Sequence, residues 1–200
     1  SISGHFGYPS IGGDPVFRQT VADYFKRRFL VELDPATQIL PCSGSKEAVF
    51  HAPLLVIDPK AEDKTVLFPD PGYPAYCRGA LFAGGEPLPV PLSGDFIFRP
   101  WELSEDILKK TRLLWLNTPH NPSGAVTPLS DMMRIAELCR HYDILCISDE
   151  CYADIYTDDP PHSILECGVE NILVFHSLSK RSGMTGYRSA FIAGDPAIIA

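Results

Sequence analysis

The sequence predicts an α/β domain with a largely parallel sheet, because short apolar runs alternate along it with amphipathic helical patterns. The clearest runs are RLLWLN at 112–117, ILCIS at 144–148 and NILVFH at 171–176. Uninterrupted apolar runs of this length are typical of strands that are covered on both faces. The 200 residues are 45% hydrophobic and contain no repeat or obvious linker, which favours one domain with a sizeable core.

The first half of the chain is predicted to alternate helices with short strands. Asp14 and Pro15 supply an N-cap and a proline at the first helical position, and apolar residues then recur at helical spacing up to Phe29. Turn residues at 69–72 separate a strand from the next helix. The predicted helices are 15–29, 45–57 and 73–82, and the predicted strands are 39–41, 65–68 and 86–90.

The second half adds the three apolar strands, an amphipathic helix at 128–142 and a further strand at 189–193. Polar residues follow each of the three apolar strands, with Asn121, Asp149 and Lys180 among them. Ligands of open parallel sheets bind at the carboxyl ends of the strands. We therefore expect these three side chains to share one site.

Composition and charge argue against several classes of protein. The net charge of −8 offers no general basic surface for nucleic acid or anionic lipid. No apolar run approaches the roughly 18 residues of a spanning helix, and no signal peptide is recognisable, so a cytoplasmic protein is predicted. Neither the six cysteines nor the six histidines show metal-ligand spacing, and no metal is assigned. The chain starts without Met and stops in mid-pattern, which predicts a fragment of a longer protein.

A lysine and an arginine follow the strand at 171–176. Lys180 is predicted at the buried end of that strand, where a lysine must be paired, neutral or covalently used. Arg188 lies eight residues later beyond Gly183 and Gly186, and an arginine on a glycine-containing loop suits a phosphate group. Taken alone, Lys180 is more typical of an ordinary surface loop.

Three further segments carry possible chemistry. Asp149 leaves a doubly covered strand and needs a cationic partner, such as a protonated pyridine nitrogen, unless it is a helix N-cap. The segment 43–46 (SGSK) precedes a helix and could cradle a phosphate, although many helices begin with Ser or Gly. The segment 117–124 reads by itself as a tight turn.

Together these segments resemble, in order, the motifs of class I and II aminotransferases, a fold-type I family that uses pyridoxal phosphate. The resemblance covers nearly the whole chain and implies the family's three-layer αβα large domain, with the C-terminal small domain absent. It also assigns residues 1–13 to the N-terminal entry segment. The matching elements are Tyr8 with Gly13 and Arg18, SGSK at 43–46, PGY at 71–73, NPSG at 121–124, DECY at 149–152, and SLSK at 177–180 with Arg188.

The resemblance implies a role for each matching residue. Lys180 would bind the cofactor as a Schiff base and then shuttle the proton, while Asp149 would hold the protonated ring nitrogen. Asn121 and Tyr152 would contact the ring's phenolic oxygen. Tyr73 would stack on the ring, and the phosphate would be held by Ser45, Lys46, Ser177 and Arg188. Tyr8 would reach the phosphate of a neighbouring subunit, which implies a homodimer.

The implied reaction transfers an amino group between glutamate and an amino or 2-oxo acid. The segments 33–41, 148–152 and 177–195 most resemble N-succinyldiaminopimelate aminotransferases of bacterial lysine synthesis. The loop 183–186 (GMTG) instead resembles diaminopimelate and broad-specificity aminotransferases. An LL-diaminopimelate, aspartate or broad-specificity aminotransferase therefore remains an alternative. C–S lyases, decarboxylases and cyclopropane-forming synthases share the motifs. A cofactor-sensing transcription regulator and a non-catalytic homologue are further alternatives, but the first needs a DNA-binding domain and the second normally lacks the lysine.

Overall fold

The fold is built on a single seven-stranded sheet, in a computed structural model that describes residues 10–199. The strand order is β1-β7-β6-β5-β4-β2-β3. β7 runs antiparallel to both of its neighbours, and every other pairing is parallel. The strands are β1 (Ile39–Cys42), β2 (Thr65–Asp70), β3 (Glu86–Pro91), β4 (Thr111–Asn117), β5 (Leu145–Asp149), β6 (Ile172–Ser177) and β7 (Ala190–Gly194). The predicted largely parallel sheet is confirmed.

Helices cover both faces of this sheet. They are α1 (Pro15–Phe29), α2 (Ser45–His51), α3 (Ala75–Phe82), α4 (Glu105–Lys110), α5 (Leu129–Tyr142), α6 (Leu178–Arg181) and α7 (Pro196–Ile199). α1 begins as predicted, since the Asp14 carboxylate accepts a hydrogen bond of 2.7 Å from the Val16 amide and Pro15 is the first helical residue. None of the helices within residues 10–199 is long and apolar enough to cross a membrane.

The core lies in two layers, one on each side of the sheet. Side chains alternate along β4, so that Leu114 packs with Phe25 of α1 and Ile135 of α5, while Trp115 packs with Tyr76 of α3 on the opposite face. The central strands are buried along almost their whole length, as their continuous apolar runs predict. The result is the three-layer αβα architecture.

Several element boundaries differ from the prediction. The helix predicted at 45–57 ends at His51 and continues as a 3₁₀ turn, Ala52–Leu55, because Pro53 cannot donate a helical hydrogen bond. The helix predicted from Tyr73 begins at Ala75, after Pro74. α4 was not predicted at all, since it spans six residues and buries only Leu108.

Candidate active site

A cavity of about 300 Å³ opens at the carboxyl ends of β4, β5 and β6. It brings together nine of the ten predicted site residues, while Tyr8 lies outside the described part of the chain. The nine are Ser45, Lys46, Tyr73, Asn121, Asp149, Tyr152, Ser177, Lys180 and Arg188. The remaining lining residues are Tyr76, Asn117, Cys151, Ser179 and Thr185.

The register of the parallel strands explains why these residues meet. Asn117 ends β4 directly beside Asp149, and Asp149 is in turn paired with Phe175 of β6. All three strands therefore deliver the polar residues that follow them to the same edge. The predicted shared location of Asn121, Asp149 and Lys180 is confirmed.

Asp149 is held in the wall of the cavity by hydrogen bonds from neutral donors. It is only 8% exposed, and it accepts one from the Tyr76 hydroxyl at 2.9 Å and one from the Cys151 amide at 3.3 Å. No lysine or arginine among residues 10–199 forms an ion pair with it. Burial raises the pKa of this carboxyl above its ordinary value, and the hydrogen bonds oppose that rise. The site thus presents a buried carboxylate that a ligand cation would stabilise.

Asn117 fixes the turn that carries Asn121. Its side-chain amide donates to the Asp149 carbonyl oxygen at 2.9 Å, and its side-chain oxygen accepts from the Asn121 amide at 2.8 Å. His120 links this turn to the turn after β2, since its Nε2 lies 2.9 Å from the Pro71 carbonyl oxygen. Its Nδ1 lies 2.7 Å from the Ser123 hydroxyl in its own turn. Asn121 is therefore placed by buried contacts, although the turn itself is on the surface.

Two tyrosines line the cavity close enough to Asp149 to feel its charge. Burial, followed by the negative charge of Asp149, raises the pKa of both Tyr73 and Tyr152. Both phenols therefore remain protonated at neutral pH and can donate hydrogen bonds to a ligand.

The far end of the cavity combines the start of α2 with Arg188. Gly44 precedes α2 with φ at +93°, and a β-carbon at this position would collide with the Arg188 guanidinium. Glycine therefore allows the guanidinium to lie against the first turn of α2, where amide groups are free of helical partners. A positive group beside unpaired amides is a suitable binding place for phosphate.

Lys180 lies in α6, a helix of only four residues, whose first turn is capped by Ser177. The Ser177 hydroxyl accepts from the Ser179 amide at 3.1 Å, and the Lys180 ammonium lies 5.9 Å from the centre of the Tyr152 ring. Both Lys180 and Arg188 are exposed. The prediction that Lys180 is buried is therefore wrong, because β6 ends at Ser177 and α6 leads the chain away from the sheet onto the cavity wall.

Sequence reasoning missed the residues that support the site from behind. Tyr76 is fully buried, stacks on Trp115 with ring centres 4.7 Å apart, and donates to Asp149. It lies one helical turn after Tyr73, and that spacing is the only signal in the sequence that both could face the cavity. Asn117 was visible as the last residue of a strand, but its two contacts depend on the folded turn.

The donors in this cavity fit a particular kind of molecule. A buried carboxylate without a cation suits a protonated ring nitrogen, an exposed primary amine suits an aldehyde, and Arg188 with the α2 amides suits a phosphate. Pyridoxal phosphate carries all three groups, and the cavity volume of about 300 Å³ is within the range of small-molecule sites.

Comparison with known proteins agrees with this fit. The family model described as aminotransferase class I and II matches residues 1–200. The chain belongs to this family. Among curated relatives, the LL-diaminopimelate aminotransferase of Aquifex aeolicus is 41% identical over 198 residues, which cover 96% of this chain and 50% of that protein. The chain thus spans about half the length of the curated relatives it matches.

Solved aminotransferase structures show the same architecture. An aminotransferase of Neisseria meningitidis superposes with a TM-score of 0.91 at 34% identity, covering 96% of this chain and 51% of that one. A probable N-succinyldiaminopimelate aminotransferase of Thermus thermophilus superposes with a TM-score of 0.90 at 29% identity, covering 96% and 52%. The fold is therefore that of the large domain of these enzymes.

Proposed function

We propose that the full-length protein is a pyridoxal-phosphate-dependent aminotransferase that moves an amino group between an amino acid and a 2-oxo acid. One observation carries the proposal: Asp149, Lys180 and Arg188 line a single cavity, as an acid, an amine and an anion-binding group. Family membership supports the same reaction class. When bound, the cofactor supplies an aldehyde that an amine can capture and a ring that can accept an electron pair.

The residues of this chain divide the remaining work. Lys180 would hold the aldehyde through its amine and would move a proton to and from the substrate α-carbon. Asp149 keeps the ring nitrogen protonated, and its buried position makes this ion pair stronger than it would be in water. Neutral side chains from Asn121 and Tyr152 donate to the phenolic oxygen.

Binding and orientation fall to the other lining residues. Tyr73 packs against one face of the ring, and Arg188 with Ser177 and the amides of Ser45 and Lys46 holds the phosphate. Tyr8 acts on the phosphate of a second subunit, so the working enzyme is a homodimer. The protein works in the cytoplasm.

A diaminopimelate is the substrate class that the relatives favour. The loop 183–186 resembles that of diaminopimelate aminotransferases, and the Aquifex relative is named for LL-diaminopimelate. We therefore place LL-diaminopimelate first, with glutamate as the partner amino acid and lysine biosynthesis as the setting. The succinylated substrate predicted from the sequence stays a prediction, supported by the likeness to the Thermus structure.

The visible absorbance of the full-length protein with pyridoxal phosphate tests this proposal. A yellow band should form, should bleach on addition of glutamate, and should be absent in Lys180→Ala, whose turnover should fall by about 10³-fold or more. LL-diaminopimelate and its N-succinyl derivative are then compared by kcat/KM. A band that forms but does not respond to any amino donor would favour a C–S lyase or a cofactor sensor, and no band at all would contradict the cofactor assignment.

A further inference from the structure

The direction of Lys180 depends on contacts outside its own helix. α6 spans Leu178–Arg181, and a single helical turn has too few hydrogen bonds to be stable by itself. The chain after it, 182–188, is largely exposed and passes through Gly183 with φ at +62°. Ser177 fixes the start of α6, and the Thr185 hydroxyl donates to the Ser179 carbonyl oxygen at 3.1 Å. Arg181 is the last residue of the helix, and its side chain provides the contact with the rest of the domain.

Arg181 is held by Asp154. The Nε of Arg181 lies 3.0 Å from Oδ2 of Asp154, and its guanidinium lies 4.3 Å from the centre of the Tyr24 ring. The side chains of the ion pair are only 24% and 19% exposed. An ion pair shielded to this extent from water is screened less than an exposed one and is more sharply oriented.

The Asp154 carboxylate contacts three side chains on two helices. Besides Arg181 of α6, it accepts a hydrogen bond of 3.0 Å from the Tyr24 hydroxyl and lies 3.4 Å from Nε of Arg28, both on α1. Burial, followed by the charge of Asp154, raises the pKa of Tyr24 above its ordinary value, so its hydroxyl stays a donor. Arg28 also donates to the carbonyl oxygens of Ala153 and Pro161, at 3.2 and 3.0 Å. These contacts fix the Asp154 backbone as well as its side chain.

The positions of these residues in sequence connect this cluster to the cavity. Asp154 is two residues after Tyr152, in the turn 151–154, and Arg181 is the residue next to Lys180. Tyr152 and Lys180 both line the cavity, with the lysine ammonium 5.9 Å from the tyrosine ring. One carboxylate thus joins the two backbone segments that carry these side chains.

We propose that Asp154 is a positioning residue that sets the direction of Lys180 toward Tyr152 by holding Arg181. It does not line the cavity and acts only through its neighbour. This inference rests on the proposed function, since it concerns the same lysine. Without Asp154, the guanidinium groups of Arg28 and Arg181 lose their shared counter-charge and repel each other, and the end of α6 moves away from α1.

The test is a double-mutant cycle in the full-length protein with pyridoxal phosphate, using Asp154→Ala, Arg181→Met and the combination. We expect each single variant to lower kcat by about tenfold or more while KM changes less than about twofold, because a misplaced group costs rate. The pH midpoint of the visible band should shift in each. The double variant should be no worse than the more impaired single variant, since both changes break the same contact.

Two variants provide the controls. Asp143→Asn removes a carboxylate that lies 3.5 Å from Arg112 and accepts from Asn171, away from the residues that line the cavity, and should leave kcat and the band unchanged. Arg181→Lys should recover part of the lost rate, because it restores the charge without the planar group. If Asp154→Ala fails to fold, Arg181→Met carries the test, since it leaves the contacts of Asp154 with Tyr24 and Arg28 in place.

The outcomes separate this inference from the proposed function. Lower thermal stability with unchanged kcat and an unchanged band midpoint would make Asp154 a merely structural residue and overturn the inference. Additive losses in the double variant would also contradict it. A wild-type protein that forms no band, or whose band ignores amino donors, would instead overturn the proposed function.

Discussion

The cavity has two walls that differ in how they are held. The Asp149 wall, made of Tyr76, Asn117, Asp149 and Cys151, is mostly buried and its polar groups bond to one another or to the sheet. The Lys180 wall, 177–188, exposes Lys180 and Arg188 and contains a single helical turn. Under the proposed function, the carboxylate that would stay ionised lies in the sheet, whereas the amine that would bind, leave and carry a proton lies on an exposed segment.

Asp149→Asn should give the largest effect and should affect activity and stability in opposite directions. Turnover should fall by about 10²–10³-fold, because an amide cannot supply the charge that holds the ring nitrogen protonated. The cofactor-free protein should gain stability at neutral pH, because its buried carboxylate has a raised pKa and ionising it in the folded state is unfavourable.

The pH dependence has a definite sign. Below the ordinary aspartate pKa of about 3.9 the carboxyl is protonated in both folded and unfolded chains, so wild type and variant should unfold alike. As the pH rises toward the raised pKa, the unfolded chain ionises first and the wild type loses stability relative to the variant. Thermal unfolding of both cofactor-free proteins from pH 4 to pH 8 checks this, and a variant that is less stable across the whole range would contradict it.

Glu150→Ala tests how much a buried carboxylate next to the Asp149 wall contributes to stability. Glu150 is fully buried, accepts from the Ile164 amide at 3.0 Å and lies 3.0 Å from Nε2 of His176. Truncation leaves two buried polar groups without partners, at a cost of roughly 1–3 kcal/mol each. Chemical denaturation should show the loss, with Glu105→Ala, on an exposed pair, as the control expected to change stability by less than about 0.5 kcal/mol.

Gly44→Ala should lower the affinity for pyridoxal phosphate by about tenfold, since a β-carbon would displace Arg188 and strain a backbone at φ +93°. The affinity for pyridoxal phosphate should fall while that for pyridoxal, which lacks the phosphate, changes little. An equal loss for both ligands would show that the substitution disturbs the whole cavity.

Tyr76→Phe should give a smaller effect that is confined to the Asp149 wall. It removes the hydroxyl that donates to Asp149 at 2.9 Å and keeps the stacking on Trp115. Since this hydrogen bond lowers the pKa of Asp149, its loss should raise that pKa further. Cofactor affinity should therefore fall by a few-fold and most strongly at acidic pH, as a binding titration at two pH values would show.

Gly186→Ala should have the smallest effect on stability and tests whether the Lys180 wall accepts an added β-carbon. No atom of the described structure lies within 4 Å of the added β-carbon, and the backbone there is not left-handed. Stability should stay within about 0.5 kcal/mol of wild type. A large loss would mean that this surface is covered in the full-length protein.

Most residues that the sequence placed in the site follow a strand or begin a helix at the edge where the parallel strands end. Arg188, which precedes β7, is an exception. Asp149 and Asn121 were predicted on this basis and lie where expected. The burial of Lys180 was predicted wrongly, because an apolar run does not show that the chain leaves the sheet in a helical turn after Ser177. Tyr76 and Asp154 were missed because their contacts cross 73 and up to 130 residues of chain.

The direction of β7 also lay beyond sequence reasoning, because an apolar run looks the same whichever way it points. β7 pairs antiparallel with β6, with Ser177 opposite Ala190 and the Leu178 amide donating to the Ser189 carbonyl oxygen at 3.1 Å. The segment between the two strands therefore leaves the sheet and re-enters it at the same point. If β7 ran parallel to β6, its five residues would place Arg188 about 17 Å away, at the opposite edge of the sheet. Closing a longer loop costs only about 0.6 kcal/mol for each doubling of its length. A change in the number of residues between Arg181 and Arg188 would therefore leave both ends of the segment at the same edge of the sheet.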